Sequence, residues 1–411
     1  MSRIIFVNRF FFPDHSATSQ LLSDLAFSCA GAGHDIHVIC GRKLYGAGGK
    51  VLPPTERISG VEIHRVGSAK TWTSGLVGRA FDFVAFYFAS FFMMRSLAAA
   101  GSTVVVKTDP PLLSVVAVLA LRSRDVRIVH WLQDIYPEVA QELGVRIAGG
   151  WIGRLLAGVR NWSLRAAHLN VVLGRLMQRH VLDLGVKQER TCVIPNWIDE
   201  TKVRPVAHAR NPLRTQWGLE RQFVIGYSGN LGRAHEADTM LGAAIRLKER
   251  TDLCFLFIGG GFNLDRLKER AQSSGVAHLF QFRPYQSEAE LSQSLSVPDV
   301  HWISLRPELE GLIVPSKFYG VAAAGRPVVA ISDRAGEIAH LVREHQCGIQ
   351  VQPGDVDGLV SAIEAMSADP DATRTWGTNA RAMLERHFSR IAALQRWFDV
   401  LEIGALERKH A

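Results

Sequence analysis

Short apolar runs alternate with longer stretches of helical periodicity along this chain. In the first half, Ile4–Val7, Asp35–Cys40, Val61–Val66, Thr103–Lys107, Val126–Trp131 and Leu169–Leu173 read as strands, with helices at Ser19–Ala32, Leu112–Arg122 and Gly150–Ala166. Runs that are apolar throughout suit strands buried on both faces, so the pattern predicts a parallel sheet covered by helices. The rhythm pauses after VIPNWID at 193–199. Glu200–Leu219 is polar, holds Pro205 and Pro212, and reads as a linker.

The alternation then restarts. Strands are predicted at Phe223–Gly229, Leu253–Ile258, Phe280–Phe282, Val300–Ser304, Val328–Ile331 and Gly348–Val351. Helices fall at roughly Ala237–Glu249, Leu264–Ser274, Glu288–Ser294, Ser316–Ala324 and Asp357–Ser367. The fold class is therefore α/β, with two doubly wound, Rossmann-like domains at 1–200 and 201–388. Ligands on such sheets bind beyond the carboxyl ends of the strands, so a cleft between the domains is the expected site. A last amphipathic stretch, Ser389–Ile403, starts a C-terminal segment (389–411) expected to pack back toward the first domain.

Charge adds one asymmetry. Residues 1–200 carry a formal charge of +7 and residues 201–411 only +1, which points the first half toward an acidic partner such as a membrane surface or a phosphorylated substrate. No nucleic-acid motif accompanies it. The five cysteines are scattered without a CxxC pair, which suits a reducing cytoplasm and neither a disulfide framework nor a zinc site. MSRIIFVNRFFFP reads as a buried first strand rather than a signal peptide. Phe81–Ala100 is broken by Asp82 and Arg95, too short to span a bilayer, and reads as a core helix or an interface-seeking one.

Three glycine-bearing turns carry the candidate chemistry. Gly229-Asn230-Leu231-Gly232-Arg233 follows a strand, lets backbone approach a phosphate and adds a guanidinium. Gly259-Gly260-Gly261 leaves a turn without side chains, but lacks the spacing of a dinucleotide fingerprint or a P-loop. Gly311-Leu312-Ile313-Val314-Pro315-Ser316-Lys317 leads into a helix that Ser316 would cap, placing amides, a helix start and Lys317 together as a diphosphate cradle.

The order VIPNWID, GYSGNLGRAHEADTML, FIGGG, RPY, DVHWISL, GLIVPSKFYGVAAAGRPVVA and GIQVQPGD resembles the second domain of the family 4 retaining glycosyltransferases. FFPDHSATSQLLSDLAFSCAGAGHDIHVIC and WLQDIYPEVA are similar to the first. The resemblance spans nearly the whole chain. It is nearest the branch of bacterial O-antigen and colanic-acid fucose or N-acetylfucosamine transferases. It implies the GT-B fold, a UDP- or GDP-linked sugar donor in the second domain, and a polyprenyl-diphosphate-linked saccharide acceptor. It also implies a cytoplasmic enzyme held peripherally on the inner membrane. The donor would be held by Gly229, Asn230, Gly232, Gly259, Gly260, Pro284 of RPY, and Gly311–Val314 with Ser316.

The family's paired glutamates are out of register, because they would fall on Leu312 and on Gly320, where the ribose contact is lost. Glu310 or Glu308 would then face the sugar. The usual Arg and Lys of the first loop fall on Asn230 and His235, leaving Arg233 and Lys317 as the diphosphate cations. In such retaining enzymes the leaving diphosphate itself takes the acceptor proton, so positioning and charge stabilisation do the catalysis without metal or other cofactor.

Acceptor contacts are expected from Asp14, His15 and Ser16 after the first strand, and from Asp109. Asp134 is expected to be catalytic, with Trp131 and Tyr136 beside it to stack a sugar. Asp355-Val356-Asp357 mimics a metal-binding pair but opens a helix, so it reads as a cap. The alternatives are a GT-B epimerase or hydrolase, and a nucleotide-sugar-binding subunit without turnover.

Overall fold

The computed structural model describes residues 3–44, 51–67, 76–145 and 149–403. They divide into one unit of Met1–Pro195 with Ala393–Ala411, and a second of Asn196–Ala392. Residues 404–411 of the expected C-terminal segment lie outside the described residues.

The first unit is built on strands β1 (Ile4–Val7), β2 (Ile36–Gly41), β3 (Thr55–Ile58), β4 (Val61–Val66), β5 (Ser102–Lys107), β6 (Val126–Trp131), β7 (Leu169–Val172) and β8 (Thr191–Val193). Their order across the sheet is β3-β4-β2-β1-β5-β6-β7-β8, parallel except for β3, which runs antiparallel to β4. Helices α1 (Ala17–Gly31), α2 (Leu76–Leu97), α3 (Leu113–Leu121), α4 (Glu138–Glu142), α5 (Gly150–Ala166) and α6 (Arg175–Asp183) accompany it. β1 and β5 are buried along their whole length, as continuous apolar runs require.

In the second unit β9 (Phe223–Asn230), β10 (Leu253–Gly260), β11 (Phe280–Arg283), β12 (Val300–Ser304), β13 (Val328–Ile331) and β14 (Gly348–Val351) form a parallel sheet ordered β11-β10-β9-β12-β13-β14. Its helices are α7 (Pro212–Gln216), α8 (Asp238–Arg246), α9 (Leu264–Ser273), α10 (Leu291–Leu295), α11 (Lys317–Ala323), α12 (Glu337–Glu344), α13 (Val356–Ala368) and α14 (Pro370–His387). A cluster of tilted and edge-to-face aromatic rings, Tyr227, Phe257 and Trp302, fills the centre of this sheet's packing.

One expectation needs correction. Glu200–Leu219 is not a free linker: Asn211 caps α7, and Leu213, Trp217 and Leu219 pack with Val224 and Leu256. Its polarity misled because Arg214 is buried, donating to the Val297 carbonyl and pairing with Asp299 at 3.0 Å. The C-terminal stretch joins the first unit. Its helix, α15 (Arg390–Leu401), is continuous, but from Ala393 onward it belongs to the first unit. There Trp397 meets Trp131 at 4.5 Å between ring centroids, and Arg127 donates to the Val400 carbonyl.

Candidate active site

β10, β9 and β12 are neighbours in the second sheet, so their following turns meet at one edge. Backbone hydrogen bonds join them: Leu231 N–H to Gly260 O (2.7 Å), Asn263 N–H to Leu231 O (3.0 Å) and Arg306 N–H to Ala234 O (3.0 Å). Glycine is needed for this closeness. Gly259 sits at φ +131, and a Cβ there would stand 2.4 Å from the Gly229 carbonyl oxygen. Gly259→Ala is therefore expected to destabilise the protein by about 2–3 kcal/mol through overpacking and strained backbone, read as a lowered Tm. A variant melting like the parent would contradict this packing.

Lys317 reaches into this junction from the start of α11. Its Nζ lies 3.0 Å from His235 Nε2 and 5.2 Å from the centre of the Tyr227 ring, and its Cε would be 2.7 Å from a Cβ on Gly229. His235 Nδ1 lies 2.8 Å from the Ser304 carbonyl, which can only accept, so Nδ1 carries the proton and Nε2 accepts from Lys317. Burial and then the Lys317 charge push His235 down to about 4, so it is neutral. Burial pushes the Lys317 ammonium down to about 8. His235 stands where the family's lysine was expected, and it holds a lysine brought from another loop.

The other cation, Arg233, is exposed, with its guanidinium 4.0 Å from the centre of the Phe262 ring. Asn230 is exposed, and its side chain lies across Gly261, where a Cβ would meet its Oδ1 at 2.5 Å. Gly232 accepts from the Asn263 side chain and from His235 N–H. The ring of Tyr285 covers Gly259 and Gly260 beside Pro284 and is 62% exposed.

The 311–317 segment differs from its expected form. Ser316 does not cap α11: its backbone is already helical (φ −65, ψ −20) and its side chain makes no capping bond. Pro315 fixes the approach so that Phe318 and Tyr319 N–H bond back to the Pro315 and Ser316 carbonyls. The Leu312 and Ile313 amides both close a turn onto Leu309 O (3.0 and 3.3 Å), and the Leu312 and Val314 side chains are buried. These amides are thus committed within the loop, which Gly311 (φ +77) lets turn.

Glu310 is half-buried against α12, where it accepts from Glu337 N–H at 3.3 Å. Burial above all raises its carboxyl to about 7. Glu308 is exposed beside Arg306. Gly320 faces Leu295 and Ile198, so apolar side chains surround the missing ribose glutamate.

Polar atoms without partners gather at the same edge. Ser304 Oγ, Ser332 Oγ and Glu236 Oε2 are buried and make no hydrogen bond. Such atoms are costly unless something completes them, and a polar ligand would. Sequence reading had not singled out these three residues.

In the first unit, the carboxyl ends of β1, β5 and β6 bring charges together. Lys107, the last residue of β5, is fully buried, donates to Thr18 O at 2.9 Å and lies 3.6 Å from the centre of the Trp131 ring. Burial drives its ammonium well below the usual lysine range. Asp109 and Asp134 are each pushed up to about 6, first by burial, and Lys107 opposes both shifts.

Asp134 lines a cavity with Thr108, Pro111, Leu132, Tyr136 and Arg160. It does not cap α4, which begins after Pro137 without a side-chain cap. Asp14 is buried and accepts from Ser16 N–H at 2.8 Å, Ser16 Oγ is buried without a partner, and His15 is exposed. Lys107 was missed in the sequence, where a strand-ending lysine resembles a solvent contact.

Asp355 caps α13, accepting from Gly358 N–H at 2.9 Å. Elsewhere, His37 Nδ1 and His64 Nε2 lie 3.0 Å apart with Glu62 3.7 Å from each. That geometry would accept a metal, yet the imidazole pair and Asp35 behind His37 already satisfy one another.

Residues 18–197 match the family model described as Glycosyl transferase 4-like domain, and residues 210–383 match Glycosyl transferases group 1. The chain is 29% identical over 323 residues, 78% of each chain, to the probable glycosyltransferase WbjE of Pseudomonas aeruginosa. It is 30% identical over 244 residues, 58% of this chain and 59% of the other, to WcaI of Escherichia coli, a glycosyl transferase assigned to colanic acid biosynthesis. Its fold is that of Anabaena HepE, solved with UDP, at a TM-score of 0.72 and 17% identity, covering 98% of this chain and all of the other. Both halves carry the glycosyltransferase pattern, and the protein belongs to the family 4 glycosyltransferases of GT-B fold.

Proposed function

We propose that this glycosyltransferase moves a sugar from a nucleoside diphosphate donor, UDP- or GDP-linked, to a saccharide carried on polyprenyl diphosphate. The anomeric configuration is retained, and the product belongs to a bacterial surface polysaccharide such as O-antigen. The observation that carries the donor reading is Lys317, a cation at the junction of three strand-end turns, held by a neutral His235 whose other ring nitrogen faces the Ser304 carbonyl. Support for the nucleotide comes from HepE, described in complex with UDP, and for the pathway class from WcaI.

In the reaction, the bond from the anomeric carbon to the diphosphate oxygen breaks while the acceptor oxygen bonds to that carbon. The acceptor proton passes to the departing diphosphate, whose charge Lys317 and Arg233 stabilise. Glu310 orients the donor sugar. Asp134 and Asp109 orient the acceptor hydroxyl, with Asp14, His15 and Ser16 completing its site. Protein cations serve the phosphate charge in this proposal, so it calls on no metal or cofactor. The work takes place at the cytoplasmic face of the inner membrane.

The test is thermal shift with UDP and GDP, followed by transfer from fucose- and N-acetylfucosamine-type donors to a polyprenyl-diphosphate-linked GlcNAc. One nucleotide is expected to raise Tm and to support transfer with retention. A melting temperature unmoved by either would overturn the donor site. Release of free sugar with no product would favour a hydrolase.

A further inference from the structure

Three helices of the first unit lie side by side. Arg95 of α2 donates to the Ala120 carbonyl of α3 at 2.9 Å, and the Ser114 and Ser163 hydroxyls join α3 to α5 at 2.9 Å. Ten of the seventeen exposed large apolar side chains among the described residues sit on these three helices, so the exposure is a patch rather than scatter.

The helical phase makes the patch deliberate. On α2, Phe86, Ser90 and Met94 are buried, while Val84, Phe88 and Phe92, two positions out of step, are exposed on the opposite side. Phe88 and Phe92 leave 66% and 65% of their surface in water. On α5, Ser163 and Leu164 are buried, and Trp151, Leu155, Val159 and Trp162 point outward at 70%, 58%, 37% and 36% exposure. Leu119 of α3, 46% exposed, occupies the helix between.

Charge identifies the partner. α5 holds three arginines and no acidic residue, and Arg154 and Arg165 are exposed beside the tryptophans. Arg122 and Arg124 are exposed just past α3. The one carboxylate of α2, Asp82, is paired with Lys43 at 3.2 Å. Exposed tryptophans and phenylalanines rimmed by these arginines, with the exposed Asp125 offsetting only one of them, complement an anionic headgroup layer above acyl chains. A second copy would set this positive face against itself. No helix among the described residues is long and apolar enough to cross a membrane, so the contact is one of lying on the surface.

We infer that the α2–α3–α5 face docks on an anionic phospholipid bilayer, with the α5 tryptophans and α2 phenylalanines entering the interface. This deepens the proposed reaction by saying which face meets the membrane carrying the acceptor, and it rests on that reading only for its purpose.

The experiment is co-sedimentation of the full chain with phosphatidylcholine vesicles, with and without phosphatidylglycerol. Binding is expected with phosphatidylglycerol, to weaken in high salt, and to fall at least about tenfold in Trp151→Ser/Leu155→Glu and separately in Phe88→Glu. These side chains are exposed, so the variants should keep the parent Tm and its thermal shift with nucleotide, which separates this surface from the donor site. Double and single variants that bind like the parent would overturn the inference. So would equal binding to neutral vesicles. A dimer in analytical ultracentrifugation, dispersed by the same substitutions without vesicle binding, would replace the bilayer by a second copy.

Discussion

Lys317→Ala is expected to lower kcat/KM for the donor roughly a hundredfold to a thousandfold, the usual cost of removing one preorganised group facing developing charge. The size follows from the surroundings. The ammonium is largely buried, so no water replaces it, and the neutral imidazole of His235 fixes its direction at 3.0 Å. The same burial gives a pH signature. With its pKa at about 8, free Lys317 loses its proton as pH rises through 8.

Nucleotide affinity that needs the ammonium should be flat below pH 8 and weaken by up to about tenfold per unit above it. Lys317→Arg should be weaker throughout but should lack this alkaline fall, because guanidinium stays charged. His235 titrates at about 4 and adds no limb of its own near neutrality. His235→Ala should instead raise donor KM by releasing Lys317. Calorimetric titration with nucleotide at several pH values checks each statement. Affinity that ignores both pH and Lys317 would remove the phosphate contact from the proposed reaction.

The strands were legible because burial on both faces leaves an unbroken apolar run. β1, β4, β6, β12, β13 and β14 occupy the predicted residues. β3 was not, because TERI is mostly polar and alternates exposed and half-buried side chains at a sheet edge. α14 was missed for a related reason: DATRTWGTNARAM is mostly polar, and it packs through small residues such as Gly377 and Ala380.

In the candidate site, the glycines and Lys317 stood out through local spacing. The Lys317–His235 contact did not, since it joins residues 82 positions apart. A sequence shows that the family's lysine is missing at 235. Only the assembled sheet brings another lysine there. Ser316 misled because a serine before a helix usually caps it, whereas Pro315 already sets the first turn and the serine backbone has turned helical.

Asp134→Asn is expected to lower kcat by about two to three orders of magnitude while leaving nucleotide affinity unchanged. The carboxyl lines the first unit's cavity with Tyr136, and the proposed reaction assigns it the acceptor hydroxyl. Burial and the neighbouring Asp109 push it up to about 6, so it is mainly ionised at neutral pH and protonates as pH falls through 6. Activity that depends on the carboxylate should therefore fall on the acid side near pH 6, and asparagine should remove that limb along with most of the turnover.

Lys107 offers a second test of the same carboxylates. Its charge opposes the rise in both aspartates, so Lys107→Met should move the acid limb upward, toward neutrality. A merely structural lysine would lower Tm and the amount of active protein without moving the limb. A limb that moved to lower pH would reverse the sign required by a cation beside two carboxylates. An Asp134→Asn enzyme with parental kcat would take the acceptor chemistry away from this cavity, whatever its nucleotide affinity.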